Sequence, residues 1–160
     1  MNYHNIKHCD MVNGTGLRVT LFVSGCSNNC FNCQNPQTHD PLSGIPFDDN
    51  AREEIFADLN SSWCSGLTLS GGDPLYPSNR TTVFDLVKEI KNRFPNKTIW
   101  LYTGYAYEDI RDDLDIKPIL ECIDVIVDGK FIQSKHSYGL EWRGSSNQRV
   151  IEICSGKLLA

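Results

Sequence analysis

Residues 17–34 read LRVTLFVSGCSNNCFNCQ and join two different patterns. Residues 17–24 form an apolar, β-branched run that ends at Gly25, which is typical of a buried strand. The second part places three cysteines in a C-x3-C-x2-C arrangement: Cys26, Cys30 and Cys33. Three thiolates at this spacing can converge on one iron–sulfur cluster while the chain wraps around it as a loop. The stretch therefore predicts a strand that leads into a metal-binding loop.

The number of cysteines in this loop leaves the kind of site open. A [4Fe–4S] cluster normally takes four thiolates, so three leave either a distant fourth cysteine or an iron with an open coordination position. The other cysteines lie singly, and each is predicted to be a small buried hydrophobic residue: Cys9, Cys64, Cys122 and Cys154. The loop is compatible with an enzyme, with an electron carrier ligated by one of those four, or with a zinc module completed by His39.

Length and composition limit the class of protein. The chain has 160 residues, of which 40% are hydrophobic and 22% charged, as in an ordinary globular protein of one domain. The net charge is −5 without a long basic run, which argues against a nucleic-acid partner. The amino terminus lacks a signal-peptide core, and no apolar run approaches the ~18 residues of a membrane span. We expect a cytoplasmic protein without a membrane partner, in a compartment where clustered cysteines bind metals.

Strand and helix patterns alternate along the rest of the chain. Apolar residues recur at helical spacing over 48–59, with Asp48 or Asp49 as cap, over 78–94, and over 107–122, where Pro118 interrupts the pattern. Short apolar runs predict strands at 66–70, 98–103, 123–127 and 149–153. This alternation predicts an α/β fold with a mostly parallel sheet. There are too few repeats for a closed barrel of ~250 residues, so a partial, open (βα) barrel is expected.

Unusual residues follow each predicted parallel strand. The cysteine loop follows the first, and the others are followed in turn by Gly71-Gly72-Asp73, Thr103-Gly104-Tyr105 and Asp128-Gly129-Lys130. Ligands of parallel α/β folds bind outside the carboxyl ends of the strands. All four segments are therefore predicted to face one rim, as in an active site. Taken singly, the glycine segments are more simply explained as ordinary turns.

The cysteine motif and the Gly-Gly-acid motif after the next strand resemble the radical S-adenosylmethionine (SAM) superfamily. Within it, the chain is most similar to the small activases that install a glycyl radical on anaerobic ribonucleoside-triphosphate reductase. The similarity extends over segments 12–18, 21–26, 69–75, 103–105, 127–131 and 142–148. The resemblance implies that residues 1–160 form a single radical SAM domain.

The resemblance also implies the chemistry. Cys26, Cys30 and Cys33 would hold one [4Fe–4S] cluster at the carboxyl ends of the strands, with SAM on its fourth iron. Reductive cleavage of SAM would give a 5′-deoxyadenosyl radical that takes hydrogen from a reductase glycine. No catalytic side chain is expected beyond the cluster and SAM, because the cofactor carries the difficult step. The implied partners are the reductase, as protein substrate, and an electron donor such as a flavodoxin or ferredoxin.

Several SAM contacts follow from the same resemblance. The Gly71-Gly72 pair would let the backbone approach the methionyl end, and Asp73 would accept a hydrogen bond from its ammonium group. Asn32 and Gln34 flank the third cysteine and are expected to contact SAM or shield the cluster. Thr103 is a candidate for a ribose or methionyl contact. Many superfamily members carry an aromatic residue in place of Asn32, so the adenine-binding residues are not identified.

The segment 142–149 is predicted to lie near the open face and to help dock the reductase, with a structural turn packed on the sheet as the alternative. Three other functions stay open at this point. One is another small radical SAM enzyme, acting on a different glycyl-radical enzyme or on a small molecule. The second belongs to a different class and is an iron–sulfur electron carrier, and the third is a zinc-binding structural module.

Overall fold

The computed structural model describes all 160 residues. Its strands are β1 (Asn2–Asp10), β2 (Leu17–Val23), β3 (Ile45–Pro46), β4 (Cys64–Gly71), β5 (Thr98–Tyr102), β6 (Val125–Asp128), β7 (Arg149–Glu152) and β8 (Lys157–Leu158). Its helices are α1 (Asp49–Leu59), α2 (Arg80–Arg93), α3 (Tyr107–Ile110) and α4 (Lys117–Leu120). The strands form one open sheet in the order β3-β1-β2-β4-β5-β6-β7-β8.

The centre of this sheet is parallel and its edges are antiparallel. Strands β2, β4, β5 and β6 run parallel to one another, as the strand–helix alternation predicts. Strands β1 and β3 extend one edge in antiparallel pairing, and β7 and β8 extend the other. The predicted α/β class is therefore confirmed as an open, mixed sheet. Of the edge strands, only the one at 149–153 was predicted.

Local signals place the helix ends. The Asp48 carboxylate accepts a hydrogen bond of 2.9 Å from the Ala51 backbone N–H, so Asp48 is the N-cap of α1. The predicted interrupted helix over 107–122 consists of the two short helices α3 and α4. Pro118 lies in the first turn of α4, where its missing N–H leaves no helical hydrogen bond unmade. The proline therefore lies at the start of the second short helix, α4, and not inside a continuous helix.

The helices cover one face of the sheet. Their apolar side chains pack with alternate strand residues in a core cluster of 26 buried residues, which includes Leu21, Leu69, Leu101, Ile55 and Leu86. The predicted burial of the single cysteines is confirmed for Cys64, whereas Cys122 is half-buried. It is wrong for Cys9 and Cys154, which are exposed. Cys9 lies where the pairing of β1 with β2 shifts register, and the chain there has positive φ.

The opposite face of the sheet carries the other alternate residues and is partly polar. Arg18 is fully buried there, and all five of its N–H groups donate hydrogen bonds to neutral oxygens of Thr15, Leu67, Thr68 and Thr98. Burial lowers the pKa of Arg18 to about 10. Its guanidinium carbon lies 5.6 Å from the ring centre of Trp100. No helix is both long enough and apolar enough to cross a bilayer.

Candidate functional site

A cavity of about 290 Å³ opens at the carboxyl ends of the four parallel strands. Residues from the segment that follows every one of these strands line its wall: Cys26, Cys30, Cys33, Gly72, Thr103, Gly104, Gly129 and Lys130. The prediction that these four segments face one rim is confirmed. The order of the parallel strands produces this convergence, because it brings distant parts of the chain to one edge of the sheet.

Backbone hydrogen bonds hold the cysteine loop at this rim. The N–H groups of Gly25 and Cys26 donate to the carbonyls of Thr38 and His39, at 2.7 and 3.1 Å. The Gly25 carbonyl in turn accepts from the Asp73 N–H at 2.7 Å, which ties the loop to the end of β4. The loop is thus anchored on both sides before any ligand is bound.

Two of the three thiols accept hydrogen bonds within the loop. The Cys26 Sγ accepts from the Asn28 side-chain amide at 3.5 Å, and the Cys33 Sγ accepts from the Asn35 N–H at 3.4 Å. Burial raises the pKa of the Cys26 thiol. Iron–sulfur ligands are commonly surrounded by such N–H donors, which adjust the potential of the cluster.

The donor set on the cavity wall fits an iron–sulfur cluster bound by three cysteines. None of the remaining cysteines lines the cavity, so no fourth thiolate is available there. His39 lines the wall, and its Nε2 is buried without a hydrogen-bond partner. In the structure, no three His, Cys, Asp or Glu side chains come close enough together to hold a single metal ion.

The two glycines after β4 are required by close backbone packing. Gly71 has φ of +96°, in the region that favours glycine, and a Cβ there would lie 2.7 Å from the Val23 nitrogen. A Cβ on Gly72 would lie 2.5 Å from the Gly25 carbonyl oxygen. Both glycines line the cavity. They therefore let β4 pack directly against the start of the cysteine loop while they present bare backbone to the cavity.

Asp73 is buried behind the cavity wall, with 2% of its surface exposed. Its carboxylate accepts hydrogen bonds from Thr103 Oγ1 and the Gly104 N–H, each at 3.0 Å, and from Asn28 Nδ2 at 3.2 Å. The Leu75 N–H donates to the same carboxylate at 3.0 Å. Burial raises the pKa of Asp73, and these donors oppose that rise. The carboxylate thus links the cysteine loop with the ends of β4 and β5.

The other predicted contacts divide into two groups. Gln34 and Thr103 line the cavity, as their predicted roles require. Asn32 does not line it: the residue is exposed and has φ of +54°, a conformation that asparagine tolerates better than most residues. The structure therefore gives Asn32 a turn-forming position between Cys30 and Cys33.

Sequence reasoning missed several residues of the cavity wall, among them Asn28, Asn35 and Tyr102, and it considered His39 only as a zinc ligand. It noted Lys130 only as part of a turn motif. Lys130 is the only Lys, Arg, Asp or Glu side chain on the wall, and it forms no salt bridge. Its position three residues after the predicted strand at 123–127 was the available signal.

The segment 142–149 lies beside the cavity, as predicted, since Gly144 and Gln148 line it. The Trp142 ring packs edge-on against Trp100 with ring centres 5.3 Å apart, and its carbonyl accepts a 2.7 Å hydrogen bond from the Tyr102 hydroxyl. Trp142 is therefore part of the packing on this face of the sheet.

Comparisons with known proteins agree with this site. Residues 12–151 match a family model described as a 4Fe-4S single cluster domain. The chain is 47% identical to the anaerobic ribonucleoside-triphosphate reductase-activating protein of Enterobacteria phage T4, over 94% of this chain and 93% of that protein. It is 47% identical to the protein of the same name from Vibrio cholerae and 43% identical to that from Escherichia coli, in each case over 94% of this chain and 97% of the relative. The chain belongs to the family of anaerobic ribonucleoside-triphosphate reductase-activating proteins.

Proposed function

We propose that this chain is an enzyme that activates an anaerobic ribonucleoside-triphosphate reductase by reductive cleavage of SAM at a [4Fe–4S] cluster. The observation that carries the proposal is a cavity at the strand ends whose wall bears three cysteines and no fourth. A bound and reduced cluster would supply one electron to SAM, which would give methionine and a 5′-deoxyadenosyl radical, and that radical would take a hydrogen atom from a reductase glycine to leave 5′-deoxyadenosine and a glycyl radical. The residues of the chain bind, orient and enclose these groups.

Cys26, Cys30 and Cys33 would hold the cluster, and the adjoining wall would hold SAM. The bare backbone of Gly71 and Gly72 leaves room for the methionyl end. Gln34 and Thr103 offer polar atoms on the same wall. Lys130 is the unpaired cation of the wall and can pair with a carboxylate such as that of SAM.

Asp73 and Asn32 belong to the proposed site in a different way. A direct bond from the Asp73 carboxylate to the SAM ammonium would require it to turn from donors that already surround it. Its burial and these bonds favour a role in holding the rim together. The exposed turn position of Asn32 favours shaping of the cysteine loop over contact with SAM.

The architecture supports a protein substrate. We propose that the open sheet acts as a partial barrel in a single domain of residues 1–160, with the cluster and SAM at the carboxyl ends of its strands, so that a reductase loop can enter from the open side. Val12 lines the cavity, and Phe31 lies between two of its cysteines; the two residues are 63% and 76% exposed. These two exposed apolar residues are proposed to contact the reductase.

Docking by the segment 142–149 remains a prediction. Because Trp142 packs against Trp100, its replacement by alanine would also remove packing, and the exposed Ser146 is the better probe. We also propose a cytoplasmic location, where thiols stay reduced, and a flavodoxin or ferredoxin as electron donor.

The proposal is tested by anaerobic incubation of the chain with SAM, a reductant and a candidate reductase, followed by electron paramagnetic resonance of the glycyl radical. The radical is expected with the native chain and absent with Cys30→Ala. Persistence of the radical in that variant would overturn the mechanism. An electron carrier would instead show a cluster whose spectrum does not change when SAM is added.

A further inference from the structure

Asn28 joins the first cysteine of the loop to a buried carboxylate. Its Nδ2 lies 3.5 Å from Cys26 Sγ and 3.2 Å from Asp73 Oδ2, so one amide group donates towards both. Asn28 lies on the cavity wall, two positions after Cys26. Neither Cys30 nor Cys33 accepts a hydrogen bond from any side chain.

The acceptor of this link is held rigidly. Asp73 is almost fully buried, and Thr103, Gly104 and Leu75 donate to it from the ends of two strands. A buried carboxylate with several donors has little freedom to move without leaving polar groups unpaired. The Asp73 carboxylate therefore connects Asn28 to the sheet at a position that is held in place.

The chain also leaves room for Asn28 at one specific glycine. A Cβ on Gly104 would lie 2.1 Å from Asn28 Nδ2 and 2.5 Å from its Cγ. The φ of Gly104 lies outside the left-handed region, so its backbone can accept alanine. The missing side chain at Gly104 is thus explained by the space that the Asn28 amide occupies.

We propose that Asn28 is a positioning residue that fixes Cys26 for cluster binding, with Asp73 as its anchor and Gly104 as the space it needs. The inference deepens the proposed function, because it assumes that the cavity binds a cluster. An N–H donor near a cysteine sulfur stabilises the reduced, more negative cluster. Asn28 should therefore raise the reduction potential of the cluster as well as order the loop.

The first test uses the chain without a cluster. In Asn28→Ala, hydrogen–deuterium exchange is expected to be several-fold faster at the amides of Gly25 and Cys26, because the loop loses its side-chain link to the sheet. Ser27→Ala is the matched control, since Ser27 is exposed and makes no side-chain hydrogen bond. Equal protection in Asn28→Ala and the native chain would overturn the proposal.

The second test uses the chain with its cluster reconstituted. The midpoint potential of Asn28→Ala is expected to shift to more negative values, whereas Ser27→Ala keeps the native potential. A purely structural residue would lower the cluster content without moving the potential of the clusters that form. An unchanged potential in Asn28→Ala would therefore contradict the positioning role.

A double variant tests the role of Gly104. Gly104→Ala is expected to displace the Asn28 side chain and to reproduce both effects of Asn28→Ala. In Asn28→Ala the space is already empty, so adding Gly104→Ala should have little further effect. Additive effects would show that the two positions act independently. If the native chain takes up no cluster at all, the proposed function fails, while the exchange measurement still decides whether Asn28 orders the loop.

Discussion

The two faces of the central sheet are built from different chemistry. The face under the helices is aliphatic and fully buried, with Leu21, Leu69 and Leu101 in its centre. The other face carries Arg18 and Thr68 and ends in the cavity. Apolar burial is non-directional and fills space, whereas hydrogen bonds hold groups at set distances and can leave a shaped opening. The aliphatic face is therefore expected to contribute to stability alone, whereas the polar face contributes to stability and also shapes the site.

The largest effect on activity is expected from the loss of a cysteine in the cavity, and this substitution should leave the fold intact. Cys33→Ala is expected to abolish glycyl-radical formation because it removes one of three proposed ligands. The thermal unfolding temperature of the cluster-free chain should stay within a few degrees of the native value, since Cys33 is only half-buried. Cys154→Ala, at an exposed cysteine away from the cavity, is the matched control and should keep full activity. Unfolding of Cys33→Ala would show that the two faces are not separable.

Arg18 tests whether the polar face also contributes to stability. Arg18→Ala leaves the acceptors of five hydrogen bonds without their donor, and a loss of about 4 kcal/mol in the free energy of unfolding is expected. Denaturant unfolding of the cluster-free chain measures this loss. Arg18→Lys should recover only part of it, because an ammonium group cannot reach the same set of acceptors. A loss under ~1 kcal/mol for Arg18→Ala would mean that these acceptors find water or other donors.

A substitution on the helix-covered face should lower the free energy of unfolding without changing the activity. Leu86→Ala removes a fully buried side chain of α2 and is expected to cost about 3 kcal/mol in the free energy of unfolding. Cluster content and SAM cleavage, measured well below the unfolding temperature, should remain near native because Leu86 does not line the cavity. Loss of SAM cleavage in a folded Leu86→Ala chain would contradict the division between the faces.

The smallest effect on stability is expected at His8 of β1, whose ring lies between the carboxylates of Asp58 and Glu54 on α1. The hydrogen bond to Asp58 is the main cause that raises the pKa of His8. Because the pKa of His8 is higher in the folded chain, its protonation stabilises the fold. This contribution is complete below the unfolded pKa of about 6.5 and is lost as the pH rises through the folded pKa. Because His8 is half-exposed, the contribution should stay below ~1 kcal/mol.

His8→Ala should therefore flatten the dependence of the unfolding free energy on pH as the pH rises above the unfolded value of about 6.5. Native and variant chains are compared by denaturant titration at several pH values, without cluster. An identical pH profile for the two chains would exclude His8 as a source of that dependence.

The parallel strands and the long helices were predictable because their signals are local. Residues 98–103 carry an apolar run, which predicts a strand, and α2 carries apolar side chains at helical spacing, which predict a helix. Strand β1 was missed because most of its side chains are polar: it pairs with β2 along one side, and only Tyr3, Ile6 and Asp10 are buried. Strand β8 spans two residues and has no detectable period.

The sequence alone determined the cysteine motif, the parallel character of the central strands and the rim that their ends share. Those conclusions need only residue types, spacing and the handedness of strand–helix–strand connections. Only the tertiary structure decided that Asp73 faces inward, that Asn32 turns away from the cavity and that Asn28 lies against Gly104. The bond between Asn28 and Asp73 joins residues 45 positions apart. Such a contact depends on the packing of the whole sheet, which no local pattern encodes.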